Sequence, residues 1–168
     1  MEEIVNKVAS SGLIAIDPST LLPQGKRSHI DIKDQLWQGL ALKEQDFREW
    51  LKNTDWSQYK GHYVSLSCSV DAIIPHWAYM LLVSVLEPHA SLVLFGSPEE
   101  LETELFRRAL RQINIEEYKD ARIVIKGCSD VVLPKSAYAD LVTQLQPVAK
   151  SIMFGEPCST VPVYKRKA

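Results

Sequence analysis

The sequence has little of what would assign it to a specialised class of protein. It has only three cysteines and seven glycines in 168 residues, and 19 Lys and Arg nearly balance 21 Asp and Glu, for a formal net charge of −2. That balance argues against general binding to nucleic acid. No apolar run approaches the roughly 20 residues of a membrane span, and the acidic N-terminus lacks the apolar core of a signal peptide.

Several common motifs are also missing. The sequence contains no G-x-G-x-x-G, P-loop, G-x-S-x-G or H-E-x-x-H pattern, so the usual nucleotide-binding and hydrolase interpretations lack their residues. An odd number of cysteines without a signal peptide indicates a reducing compartment, so we expect a cytoplasmic protein with free or metal-bound thiols. The hydrophobic content of 46 % and charged content of 24 % are those of a folded globular chain.

An internal repeat organises the sequence. Residues 134–157 align without a gap to residues 75–98, at an offset of 59, and eleven of the 24 aligned pairs are identical. Tyr79 and Tyr138 are one such pair, and we interpret these aligned aromatic residues as core. The chain is accordingly divided into an N-terminal extension (1–38), a first copy (39–98), a second copy (98–157) and a C-terminal tail (158–168).

Each copy has the pattern helix, strand, helix, strand. Apolar residues at helical spacing alternate with short runs such as HYVSLS and ARIVIKG. This alternation predicts a single three-layer α/β domain with a largely parallel central sheet, built from two αβαβ repeats, in which LIAID and HIDI add an N-terminal β extension. The simplest pseudo-twofold assembly gives the strand order 91–95, 62–67, 121–126, 151–154.

Each of the three cysteines is followed by a serine, in the pairs Cys68-Ser69, Cys128-Ser129 and Cys158-Ser159. In the predicted strand order the first two cysteines follow the central strands, at the switch point where open α/β sheets bind ligands. Because neighbouring strands are about 4.8 Å apart, their sulfurs would approach within about 4 Å. Cys158 aligns with Glu99, so the repeat does not explain the third thiol.

These thiols predict a metal site for zinc or an iron–sulfur cluster. Cys68, Cys128 and Cys158 would be the ligands. The serines Ser69, Ser129 and Ser159 would support them through hydrogen bonds to thiolate. The fourth ligand is left open among His76, Asp71 and Asp130.

The same sulfur distance also suits a disulfide, so two alternatives stay open. The first is a thiol redox or sulfur-transfer protein, in which one cysteine is nucleophilic and another resolves it. The second is a non-catalytic adaptor with inert buried thiols. The residues do not decide whether any reaction is catalysed.

Four longer phrases carry a resemblance to a known family: DIKDQLWQGLALKEQDFREWLK, CSVDAIIPHWAYMLL, IKGCSD and GEPCSTVPVYK. Over nearly the whole chain they resemble a bacterial family known as domain of unknown function 2480. That family has no established activity, so the resemblance gives no residue a role. Its genes often lie near iron–sulfur assembly genes, which implies iron–sulfur assembly proteins as partners. We expect no nucleic-acid or membrane partner, and the tryptophans allow a homodimer.

Overall fold

The computed structural model describes residues 12–127, 131–156 and 159–167. These residues form four α-helices: α1 (Glu44–Asn53), α2 (His76–Leu86), α3 (Pro98–Gln112) and α4 (Ala137–Leu145). They also form nine β-strands: β1 (Leu13–Ile16), β2 (Arg27–Asp31), β3 (Leu36–Trp37), β4 (Ala41–Leu42), β5 (Tyr63–Ser67), β6 (Leu92–Phe95), β7 (Arg122–Ile125), β8 (Ser151–Glu156) and β9 (Ser159–Lys165). The predicted α/β class, with largely parallel sheet structure and N-terminal strands, is confirmed.

The helices form where the apolar spacing predicted them. In α2, Ala78, Leu82 and Leu86 recur every four residues and are all fully buried. This spacing places them on one face of the helix, where they pack with Val64 and Leu66 of β5. No helix in the described part of the chain is long and apolar enough to cross a membrane.

Two largely parallel sheets carry the fold. In one, the strand order is β2-β5-β6 and all strands are parallel. In the other, the order is β1-β7-β8-β9, and β1, β7 and β8 are parallel while β9 runs antiparallel to β8. Strands β3 and β4 form a separate antiparallel pair.

The predicted order of the central strands is wrong. The strand predicted at 62–67 is β5 and the strand predicted at 121–126 is β7, and these lie in separate sheets. The reason is that an N-terminal strand already pairs with the free edge of each. Strand β2 pairs with β5 and β1 pairs with β7, so neither edge is left for the other copy.

Contacts between residues divide the chain into two compact units. The central unit contains Gln24–Leu101, and the terminal unit contains Met1–Pro23 with Glu102–Ala168. The core of the central unit includes Phe47 of α1, which is fully buried. Each unit contains one of the two sheets.

The two units contain equivalent pairs of parallel strands. Tyr63 of β5 pairs with Leu92 of β6, and Arg122 of β7 pairs with Ser151 of β8, so both partners differ by the offset of 59. Aspartates also recur at the ends of the N-terminal strands, where Asp17 and Asp31 each cap a short 3-10 helix. Superposition of the two copies stays a prediction.

The C-terminal tail contains an element that the sequence analysis did not predict. Residues 159–165 form β9, which extends the sheet of the terminal unit beside β8. Its pairing shifts register between Ile152 and Met153, opposite Pro162. Proline lacks a backbone N–H and is tolerated at edge strands and irregular positions, which is where β9 carries it.

Candidate functional site

A cavity of about 430 Å³ opens at the carboxyl end of β5 in the central unit. Its lining comprises Cys68, Val70, Asp71, Ala72, Ile74, His76, Tyr79 and Phe95. The cavity lies where a parallel strand passes into the helix that follows it, because Cys68 is the first residue after β5 and His76 is the first residue of α2. A thiol, a carboxyl group, an imidazole and a phenol therefore share one cavity.

Cys68 presents a free, half-buried thiol to this cavity. Its Sγ donates to the backbone carbonyl of Val70 at 3.5 Å, which holds the side chain over the turn that follows the strand. The same residue also packs against the hydrophobic core of the central unit. The thiol is thus anchored on one side and open to the cavity on the other.

The N-terminus of α2 contributes positive electrostatic potential beside the thiol. The cap residue Pro75 is extended, and its side chain makes no capping hydrogen bond. The first backbone N–H groups of a helix together carry about half a positive charge, which attracts negatively charged groups. His76 and Tyr79, both in the first turn of α2, line the cavity, so this end of the helix borders it.

Asp31 ties the turn after Cys68 to the neighbouring strand. The backbone N–H of Ser69 donates to Asp31 Oδ1 at 3.1 Å, across 38 positions of sequence. Burial alone would raise the pKa of Asp31, but hydrogen bonds from Ser69 and Lys33 outweigh it and lower the pKa to about 2. The ionised carboxylate therefore accepts bonds that fix the Cys-Ser turn on β2.

Tyr79 provides a protonated hydroxyl near the thiol. Burial raises its pKa, and the proximity of Cys68 and Asp31 raises it further, so the phenol keeps its proton. Its ring contacts Phe95 edge to face, with the ring centroids 4.6 Å apart. The sequence interpretation as a core residue missed this role, because Tyr79 is half-buried and faces a cavity.

The predicted site residues differ in where they lie. Cys68, Asp71 and His76 line the same cavity, as the metal hypothesis required of residues close to one another. Ser69 is exposed, and its N–H binds Asp31, a partner that the sequence did not indicate. Ser159 is exposed at the start of β9. Cys128, Ser129, Asp130 and Cys158 lie outside the described residues.

The structural argument that brought Cys68 and Cys128 together does not hold. It depended on adjacent strands, whereas β5 and β7 belong to different sheets. Within residues 12–127, 131–156 and 159–167, no three His, Cys, Asp or Glu side chains form a group that could hold a metal ion. The convergence of three sulfurs stays a prediction, because two of them lie outside these ranges.

A second cavity, of about 660 Å³, lies in the terminal unit. Its lining is apolar and aromatic apart from one threonine: Ile125, Tyr138, Ala139, Val142, Thr143, Phe154 and Val163. Among the residues that the structure describes, its lining has no thiol, imidazole or carboxyl group. The cavity beside Cys68 is therefore the better candidate for chemistry.

A family model described as Protein of unknown function (DUF2480) matches residues 2–166. The chain belongs to that family. No curated protein and no solved structure matches it.

Proposed function

We propose that this member of a family of unknown function acts through the thiol of Cys68, which reacts with a sulfur-containing ligand bound in the adjoining cavity. The observation that carries the proposal is the position of the half-buried Cys68 in a 430 Å³ cavity that the N-terminus of α2 borders. A pocket with a few convergent polar groups is the usual form of a small-molecule site.

The residues around the thiol supply the groups that thiol–disulfide exchange needs. The Cys68 thiolate attacks one sulfur of a ligand disulfide, a new S–S bond forms, and the other sulfur leaves as a thiolate. The positive end of α2 attracts the attacking thiolate, and the Tyr79 hydroxyl, which keeps its proton, can donate a hydrogen bond to the sulfur that leaves. A reducing compartment such as the cytoplasm would keep Cys68 in its reactive form.

A metal site is the second candidate, because Cys68, His76 and Asp71 line one cavity and are of the types that bind zinc. These three do not form a ligand group by themselves. The proposal therefore needs Cys128 or Cys158 to complete a site for zinc or an iron–sulfur cluster. Iron–sulfur assembly proteins are the partners that this candidate favours.

Alkylation kinetics test the first candidate. In the variant with Cys128→Ser and Cys158→Ser, Cys68 is the single thiol, so iodoacetamide reports on it alone. We expect this thiol to react faster at pH 7 in the folded chain than in the urea-unfolded chain, because only the folded chain places it beside the positive N-terminus of α2. The further substitution Cys68→Ser is the blank.

Elemental analysis separates the two candidates. Wild-type protein purified without oxygen or chelator would contain zinc or iron if the metal candidate holds, and Cys68→Ser, Cys128→Ser and Cys158→Ser would each lower the metal content sharply. A metal-free wild type with a fast Cys68 supports thiol chemistry. A metal-free wild type whose Cys68 reacts no faster folded than unfolded would leave the non-catalytic adaptor as the better description.

A further inference from the structure

The β2-β5-β6 sheet of the central unit has a group of polar side chains on the face opposite to the one that packs against the helices. In β5, Ser65 and Ser67 alternate with Val64 and Leu66, which face the helices and the core. His29 pairs with Ser65 across the β2–β5 ladder. The two serines and the histidine therefore share a face that the cavity beside Cys68 does not use.

These three side chains form a continuous chain of hydrogen bonds. Ser65 Oγ lies 2.8 Å from His29 Nδ1, and Ser67 Oγ lies 3.3 Å from His29 Nε2. Ser65 is fully buried, whereas His29 is exposed and Ser67 is half-buried. A fixed hydroxyl thus holds one ring nitrogen, and an accessible hydroxyl contacts the other.

One of the two neutral tautomers of His29 places a base beside Ser67. When Nδ1 carries the proton and donates it to Ser65, Nε2 has a free lone pair that accepts the proton of Ser67. A nucleophile bonded to a base, which a third group in turn orients, is the general pattern of activated serine hydroxyls. Ser65 supplies the orientation that an aspartate supplies in many such sites.

A parallel ladder of the same kind forms in this chain without such a network. In the terminal unit, Ala15 pairs with Val124 at the positions equivalent to His29 and Ser65, and Lys126 occupies the position of Ser67. Strands β1 and β7 still form the same parallel ladder with the same register. The hydroxyl–imidazole chain is therefore not repeated at the equivalent described positions of the terminal unit, which points to a use other than pairing strands.

We infer that Ser67, His29 and Ser65 form a nucleophilic site for acyl transfer from small, solvent-accessible carboxylic esters. Ser67 Oγ forms a bond to the ester carbonyl carbon and its proton passes to His29 Nε2. The C–O bond to the alcohol then breaks, and the alcohol leaves with that proton. Water hydrolyses the acyl-serine by the reverse route, which releases the acid and restores both catalytic residues.

Labelling with a fluorophosphonate tests the nucleophile. The full chain is first treated with iodoacetamide so that thiols do not contribute, and the adduct is located by mass spectrometry of peptides. We expect the phosphorus to attach to Ser67 as fluoride leaves, with no adduct in Ser67→Ala. A folded wild type without an adduct at Ser67 would overturn the inference, and it would leave the Cys68 proposal untouched.

Substitution of the histidine tests the base. His29→Ala should slow labelling at least about 100-fold, the usual contribution of a general base. His62→Ala is the matched control, because His62 Nδ1 lies 3.0 Å from Ser28 Oγ in a second serine–histidine pair. Both variants are checked for folding by circular dichroism, and His29→Asn replaces His29→Ala where the latter does not fold. Equal labelling rates in the two histidine variants would refute the role of His29.

Ser65 is a positioning residue, and its test is spectroscopic. The ¹⁵N shifts of the His29 ring should show the Nδ1–H tautomer in the wild type and a shift towards the Nε2–H tautomer in Ser65→Ala. Labelling of Ser67 should fall about tenfold or more in that variant, because orientation of the base is lost. An unchanged tautomer would contradict the assigned role of Ser65.

Discussion

Replacement of Asp31 by asparagine should weaken the central unit in a manner that depends on pH. The carboxylate accepts N–H bonds from Lys33 at 3.1 Å and from Ser69 at 3.1 Å. An asparagine keeps the size of the side chain but loses the charge that strengthens both bonds. We therefore expect Asp31→Asn to lower the free energy of unfolding at pH 7.

The size of the effect follows from the pKa of Asp31. Folding lowers the pKa from the ordinary 3.8 to about 2, and each pKa unit corresponds to about 1.4 kcal/mol, so the carboxylate contributes about 2.5 kcal/mol at most. Because the folded pKa is the lower one, this stability is fully present above about pH 4 and is lost as the pH falls towards 2. At pH 3 about half of it remains.

Urea denaturation of the wild type and Asp31→Asn at pH 7 and pH 3 measures this difference. The variant should lose about 2 kcal/mol at pH 7 and about 1 kcal/mol at pH 3. Asp17→Asn is the matched control for the site, since the Asp17 carboxylate caps an equivalent 3-10 helix in the other unit and accepts hydrogen bonds from Ser19. A loss that is equal at both pH values would refute the electrostatic reasoning.

The same variant connects stability with the candidate site. Asp31 fixes Ser69, the residue after Cys68, so its removal should alter the rate at which iodoacetamide alkylates Cys68. Asp17→Asn should leave that rate unchanged. If Asp31→Asn also left it unchanged, the Asp31–Ser69 bond would not position the thiol.

Two further predictions concern packing and backbone conformation. Leu82→Ala should cost about 2–5 kcal/mol in urea denaturation because Leu82 is fully buried, whereas Met80→Ala, at a side chain 71 % exposed on the same helix, should change stability by less than about 0.5 kcal/mol. Gly155→Ala should lower the melting temperature more than Gly61→Ala, because a Cβ at Gly155 would lie 2.5 Å from the Ser159 carbonyl oxygen, whereas Gly61 has open space. Equal effects within either pair would contradict these assignments.

The site shows where sequence reasoning reached its limit. The Cys-Ser pair at the end of a strand and the helix that follows that strand were predicted from local pattern, and both border the cavity. Asp31 was not identified, because its contact with Ser69 joins residues 38 positions apart. The sequence did contain a pattern that could have identified Asp31. Both N-terminal strands are followed by or end in an aspartate, Asp17 and Asp31, that caps the next turn.

The sequence by itself determined the local elements. Helix α2 follows the first strand of its copy, as the repeat pattern predicted, and the strands predicted at 62–67 and 121–126 are β5 and β7, within one residue at each end. Such elements depend on the spacing of apolar residues and on proline and glycine at their ends, which neighbouring residues alone specify. Local order therefore followed directly from the amino acids in each segment.

Only the tertiary structure decided which strands pair. Backbone N–H and C=O groups are the same in every strand, so the edge of β5 accepts any parallel strand of suitable length and packing. The N-terminal strand β2 occupies that edge, and β1 occupies the edge of β7. That choice separated the two copies into two sheets and gave Cys68 its neighbours from β2 and α2.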